Sequence, residues 1–131
     1  MKTRSLAKLV RVRTRQRNLA TARLRQATAQ LDRSREAETE AVEAVRALAH
    51  VDETPAHEVD RREATAQRRA AQVGHAEHQV VGHREDLQRA AMALHRAEVL
   101  LERARTREAA VRRRLEQREQ DEIASRRGGS A

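Results

Sequence analysis

Three histidines and a glutamate lie close together in this sequence and are its best candidates for metal binding or proton transfer. His75 and His78 are three residues apart, so a helix would place both imidazoles on one face. Zinc needs at least one further protein ligand. Glu77 points to another side of such a helix, and His83 lies five residues beyond His78. We therefore expect solvated histidines and no metal site.

The sequence has none of the motifs that hold phosphates, dinucleotides or a nucleophilic serine, and it contains no cysteine. It also has no aromatic residue, and 37% of its residues are charged. Because aromatic side chains dominate burial in most globular cores, we expect no water-excluding cleft of the kind that catalysis usually requires. The composition predicts a protein that is not an enzyme and binds no cofactor.

Positive charge is the other chemical feature: 28 basic residues against 20 acidic ones give a formal net charge of +8. Arginine runs could neutralise the phosphates of a nucleic acid. However, the chain has no aromatic side chains on which single strands could stack, and a proline interrupts the continuous helix that a basic-zipper dimer needs. We therefore do not expect nucleic acid as the partner, and a nucleic-acid-associated coiled coil is kept as the alternative. The arginines concerned are Arg11, Arg13, Arg15, Arg17, Arg23, Arg25, Arg112, Arg113 and Arg114.

The elements that must position these side chains follow a repeat of seven residues. One row is made mostly of large apolar residues, and a second row, offset by three, is mostly alanine. Two such rows predict a long helix that buries one narrow seam against another helix. Strong helix formers dominate the composition, which favours the same interpretation. The rows are Val59, Ala66, Val73, Val80, Leu87, Leu94 and Leu101, and Ala76, His83, Ala90, Ala97, Ala104 and Val111.

The only proline, Pro55, predicts a break between two helices, with Thr54 as the N-cap of the second. Because short connections make antiparallel neighbours, the expected fold class is all-α. We expect two long helices forming an antiparallel coiled-coil hairpin, with the second helix longer and projecting at its C-terminal end. If Val51 faces Ala56, facing residue numbers add up to about 107, and a slip of one heptad is also compatible. The expected hairpin seam is Ala20, Leu24, Ala27, Leu31, Val73, Ala76, Val80, Leu87, Leu94 and Leu101.

The expected single domain has a first helix at about 3–51, a turn at 52–55, a second helix at about 55–126 and a disordered tail at 128–131. From about Arg105 onward the second helix would project beyond the hairpin. No apolar run is long enough to span a membrane, and the first residues lack the apolar core of a signal peptide. We therefore expect a cytoplasmic protein.

Two local features of the seam depend on this register. Glu38 would meet Arg69 and be neutralised by it. Gly74 and Gly82 weaken the second helix by roughly 1 kcal/mol each relative to alanine. They mark the place where that helix would bend, break or admit a close neighbour.

The C-terminal segment, residues 115–127, resembles the closing segment of the FliJ/YscO family of type III export proteins. That family ends in a charged helix of the style E-Q-[KR]-E-x-D-E-x-A-x-R. The basic, leucine-containing start at residues 6–13 is also similar to the family, as are the length and the two-helix architecture. The residues that match the closing pattern are Glu116, Gln117, Arg118, Glu119, Asp121, Glu122, Ala124 and Arg126.

The resemblance implies a stalk protein that inserts its paired termini into a hexameric export ATPase, flagellar or virulence-associated, and promotes its assembly or activity. It also implies contact with the export gate or with export chaperones at the other end. Family contacts in the middle region often involve aromatic residues, which this chain lacks, so gate contact is assigned to no residue. A generic coiled-coil scaffold is a further alternative. The candidates for ATPase contact are Leu6, Leu9, Val111, Arg112, Arg113, Leu115, Arg118, Glu122 and Arg126.

Overall fold

The computed structural model describes residues 2–51 and 53–129, and within them it contains two long α-helices and no strand. Helix α1 is Thr3–Ala47, a 3₁₀ turn follows at Leu48–His50, and helix α2 is Ala56–Gly129. The two helices pack against each other as a helical hairpin. The all-α fold that the heptad rows predict is therefore confirmed.

Helix α1 ends four residues earlier than expected, at Ala47. The backbone N–H of Val51 donates to the carbonyl of Leu48 at 3.2 Å. Val51 itself is extended, with φ −115° and ψ 120°. The last turn tightens into a 3₁₀ turn, as helix termini often do, and the chain then leaves the helix to reverse its direction.

Helix α2 begins at Ala56, directly after Pro55. The carbonyl of Pro55 accepts hydrogen bonds from the backbone N–H groups of Glu58 and Val59, at 3.0 and 3.3 Å. The hydroxyl of Thr54 is buried without a hydrogen-bond partner. The predicted threonine cap is therefore wrong, and Pro55 is the last residue before the helix.

At its other end α2 continues through Gly128 and Gly129, where the sequence predicted a disordered tail. Residues 130–131 of that predicted tail lie outside the described residues, as does residue 52 of the turn. Glycine is a preference at helix ends and not an obligatory stop, so the last turn can include it.

The chain divides into two compact units, and each has its own buried seam. In the unit made of residues 16–90, positions 27 and 80 and positions 31 and 76 fall in one cluster, as the register of about 107 predicts. Alanine on one helix lies with valine or leucine on the other, which lets the backbones approach closely. The cluster is Ala27, Leu31, Val73, Ala76 and Val80, with Leu24 packed against it.

In the unit made of residues 1–15 and 91–131, the buried cluster is Leu6, Leu101 and Ala104. Positions 6 and 101 again agree with the register of about 107. Leu94 and Ala97 are also buried in this unit. Burying each leucine removes enough apolar surface from water to contribute roughly 1.5–3 kcal/mol, so a few large residues stabilise this narrow seam.

Two predicted local features of the seam are not found. The described residues contain no ion pair between Glu38 and Arg69; instead the Arg69 guanidinium donates to the amide oxygen of Gln72 at 3.1 Å. Helix α2 is continuous through Gly74 and Gly82. A Cβ atom added at either glycine would meet nothing within 4 Å, so neither position has a close neighbour.

Within the described part of the chain, no helix is both long and apolar enough to cross a membrane.

Candidate functional site

The end of α2 carries three exposed large apolar residues along a stretch of helix in which no residue is buried. Every residue from 111 to 128 is exposed. We call this segment, residues 111–128, the projection. Val111, Leu115 and Ile123 retain 53%, 52% and 51% of their accessible surface. Large apolar side chains on a helix normally bury one face, so this half-exposed row is a candidate site for a partner.

The spacing of this row explains how the helix presents it. Val111 and Leu115 are four residues apart, and Ile123 follows eight residues later, with Glu119 at the intermediate step. Residues four apart are neighbours on a helix surface. The row therefore forms one ridge along α2 that turns slowly around the helix axis. Ile123 was not among the predicted contact residues, and the i, i+4 spacing from Val111 is the signal that identifies it.

Charge on the projection is arranged in blocks. Arg112, Arg113 and Arg114 form a basic block, and Glu119, Asp121 and Glu122 form an acidic one. The side-chain amide of Gln117 donates to Asp121 at 3.0 Å, which ties the acidic block to the preceding turn. The remaining predicted contact residues here, Arg118 and Arg126, are also exposed. The projection can therefore form salt-sensitive contacts with a charged partner.

The N-terminal candidates behave differently. Leu6 is only 3% exposed and is packed with Leu101 and Ala104. Leu9 is half-buried and packs against the same cluster. The Leu6 side chain is therefore buried in the seam and cannot contact a partner. The prediction that Leu6 is a contact residue for the ATPase is corrected accordingly. The hydroxyl of Thr3 donates to the carboxylate of Glu108, so the start of α1 is attached to α2 immediately before the projection.

Most residues predicted for the hairpin seam are buried, and the other two are half-buried. Leu24 and Leu87 keep an intermediate exposure. The side chains that flank the seam, not those in it, are therefore the ones accessible to a partner. The buried residues are Ala20, Ala27, Leu31, Val73, Ala76, Val80, Leu94 and Leu101.

The closed end of the hairpin is held by one arginine. Arg62 donates from Nε to the Glu58 carboxylate at 2.9 Å and from a terminal nitrogen to the carbonyl of Ala44 at 3.1 Å. That carbonyl belongs to the last turn of α1, whose carbonyl groups lack helical partners. Hydrogen bonds from Arg61 and Arg62 lower the pKa of Glu58 below its ordinary value. The start of α2 is thereby attached to the end of α1.

Five further arginines of the unit made of residues 16–90 differ in the partners of their side chains. Arg35 and Arg89 face the carboxylates of Glu77 and Asp86. Other arginines donate to neutral oxygens instead, so no carboxylate compensates their charge. These contacts are Arg33 to Gln30 at 2.7 Å, Arg68 to Thr65 at 3.2 Å and Arg69 to Gln72 at 3.1 Å.

The histidines singled out by the sequence do not form a ligand set. His75 and His78 are exposed. His83 is half-buried, and its Nδ1 lies 3.9 Å from Asp86 without a hydrogen bond. Within residues 2–51 and 53–129, no three histidine, cysteine, aspartate or glutamate side chains come close enough to hold a metal ion.

Comparison with known proteins gives no family for this chain. No family model matches it, and neither a curated protein nor a solved structure matches it significantly.

Proposed function

We propose that this chain is a non-catalytic stalk protein of a type III protein export apparatus, with the flagellar apparatus as our first choice. In this proposal the projection enters the pore of a hexameric export ATPase and promotes its assembly or activity. The observation that carries the proposal is the half-exposed row of Val111, Leu115 and Ile123 at the end of the longer helix. The resemblance of residues 115–127 to the closing segment of the FliJ/YscO family supports the same function.

The projection is a helix without a packed neighbour among the described residues, so a partner that covers it would stabilise it. Propensity alone gives an isolated helix little stability in water, and most helical stability in proteins comes from packing. The pore of a ring surrounds a helix on all sides, so it can cover the apolar row and the charged sides together. The basic block, Arg112 to Arg114, would then meet the lining of the pore through charge-assisted contacts that weaken with salt.

The other parts of the molecule have supporting roles in this proposal. The buried seam of α1 and α2 holds the helix from which the projection continues. The closed end would meet the export gate or export chaperones, and the protein would lie in the cytoplasm beside the membrane-embedded export apparatus. The apparatus supplies all catalysis, and the chain itself needs no cofactor.

The test measures ATP hydrolysis by the export ATPase of the same organism with and without this chain. Truncation after Arg107 removes the projection but leaves the buried seam intact. We expect the truncated chain to give no stimulation, and Leu115→Asp in the full chain to give less than the wild type, because a carboxylate interrupts the apolar row.

Leu19 provides the matched control. It is 51% exposed, against 52% for Leu115, but it lies on α1. Leu19→Asp should therefore stimulate the ATPase as well as the wild type. The proposal is wrong if the truncated chain stimulates fully, or if both aspartate variants lose stimulation equally. Thermal unfolding of each variant, followed by circular dichroism, establishes that the hairpin is intact.

A further inference from the structure

Two exposed rows of opposite charge lie outside the projection, one on each helix. The arginine row is on α2, in the unit made of residues 1–15 and 91–131. The carboxylate row is on α1, in the unit made of residues 16–90. All members of both rows are exposed. We define the arginine row as Arg96, Arg103 and Arg107, and the carboxylate row as Asp32, Glu36 and Glu43.

Each row follows one side of its helix and points away from the buried seam. A helix turns by about 100° per residue, so the members of each row lie within about 20° of a common direction. In both helices that direction is more than about 100° from the seam. Within residues 2–51 and 53–129, none of the six side chains has a hydrogen bond or an ion pair. Both rows therefore offer their charges to a partner.

The two rows have the same spacing in opposite order. Along the chain the arginines are separated by seven and then four residues, and the carboxylates by four and then seven. If α1 of a second copy lies antiparallel to α2, every arginine is therefore level with a carboxylate, close to the centre of the contact. A parallel copy would match only two of the three pairs. The antiparallel pairs are Arg96 with Glu43, Arg103 with Glu36, and Arg107 with Asp32.

Two exposed apolar residues accompany the arginine row on the same side of α2. Met92 and Leu100 retain 49% and 42% of their accessible surface. In the antiparallel arrangement Leu100 lies beside Glu40 of the second copy, and Met92 lies beside its Arg46. Apolar side chains can cover the methylene groups of such residues while the charged ends stay in water. The contact would therefore bury apolar surface as well as pair charges.

We propose that copies of this chain associate through the arginine row of one copy and the carboxylate row of another, with the two helices antiparallel. Because the two surfaces differ, each copy keeps one row free and a further copy can add to it. The contact is short: Arg114 would come level with Arg25, and helices that cross at about 20–50° separate beyond a few turns. Exposed ion pairs contribute little each, so the association needs high protein concentration and weakens with salt.

The test measures the average mass of the full chain by analytical ultracentrifugation at low salt over a wide concentration range. The mass of the wild type should rise with concentration and pass that of a dimer. Arg103→Glu and Glu36→Arg should each weaken the association by about tenfold, because each turns an attractive pair into a repulsive one. The double variant that combines these two substitutions should associate like the wild type, since its reversed pair is again complementary.

Two control variants separate this contact from other causes of association. Arg105→Glu changes the net charge as Arg103→Glu does, but residue 105 lies on the opposite side of α2, so this variant should associate like the wild type. Leu115→Asp should also associate like the wild type, because the projection takes no part; this proposal and the proposed function can therefore fail separately. Circular dichroism establishes that each variant is folded. The proposal is overturned if the wild type stays monomeric or stops at a dimer, or if the double variant does not recover. It is also overturned if either control weakens the association as much as Arg103→Glu.

Discussion

Replacing Ala27 by leucine tests whether the alanine row keeps the two helices close. Ala27 is 8% exposed and belongs to the same buried cluster as Val80, which is 4% exposed. Although an open groove also borders Ala27, a leucine that stays in the seam brings three more carbon atoms against this cluster. It must therefore displace a valine or leucine of the cluster or push α1 away from α2.

The size of the effect follows from the packing. Inserting extra methylene groups into a filled core costs about 1–3 kcal/mol. Alanine and leucine differ little in helix propensity, so the local helix contributes almost nothing to the change. For a chain of this length, each kcal/mol lowers the melting temperature by roughly 3–5 °C. The expected fall for Ala27→Leu is therefore on the order of 3–15 °C.

Ala29 supplies the control, because it lies on the same helix but is exposed. Ala29→Leu introduces the same side chain into solvent and should leave the melting temperature almost unchanged. Thermal unfolding followed by far-UV circular dichroism compares both variants with the wild type. Equal melting temperatures for Ala27→Leu and Ala29→Leu would show that the alanine row is not a tight contact, and the packing described above would then be wrong.

Two further predictions concern glycine and the closed end of the hairpin. Gly74→Ala should raise the free energy of unfolding by about 0.5–1 kcal/mol, because a Cβ there meets open space and alanine favours the helix. If a denaturant titration shows no increase in this free energy, the glycine has a close neighbour. Arg62→Ala should lower that free energy by about 1 kcal/mol through loss of the hydrogen bond to Ala44, whereas Arg61→Ala keeps this bond. The pKa of Glu58 is lowered in the folded chain, so its ion pair with Arg62 stabilises the folded state above pH 4.5. This contribution should disappear as pH falls through the lowered pKa. If Arg62→Ala lowers the free energy of unfolding equally at every pH, the Glu58 carboxylate does not contribute.

The hairpin and its register could be predicted because each depends on a pattern that repeats many times. A row of apolar residues spaced by seven specifies the buried face of a helix at every turn. A single proline then specifies where the chain reverses. The membership of the buried clusters follows from those two facts, as Ala27 with Val80 and Leu6 with Leu101 illustrate.

Features that depend on one residue were predicted less well, since local preferences there compete with the geometry of the turn. Thr54 has the chemistry of an N-cap, but its hydroxyl is buried without a hydrogen-bond partner, and the first backbone N–H groups of α2 donate to the carbonyl of Pro55 instead. Glu38 and Arg69 have opposite charges, yet the long arginine side chain reaches Gln72 on its own helix instead. A surface ion pair is worth too little to decide such a choice.

The contrast between Leu101 and Leu115 shows how one helix serves both stability and recognition. Both are leucines of the same heptad row on α2, yet Leu101 is 8% exposed and Leu115 is 52% exposed. Leu101 is buried because it packs against Leu6 of α1. Helix α1 begins at Thr3, whose hydroxyl donates to Glu108, so α1 does not extend as far as Leu115. Beyond that point the row continues, and every described residue from 111 to 128 is exposed. Leu115 is therefore left for the proposed ring to cover, so one helix would join a buried seam to a contact surface.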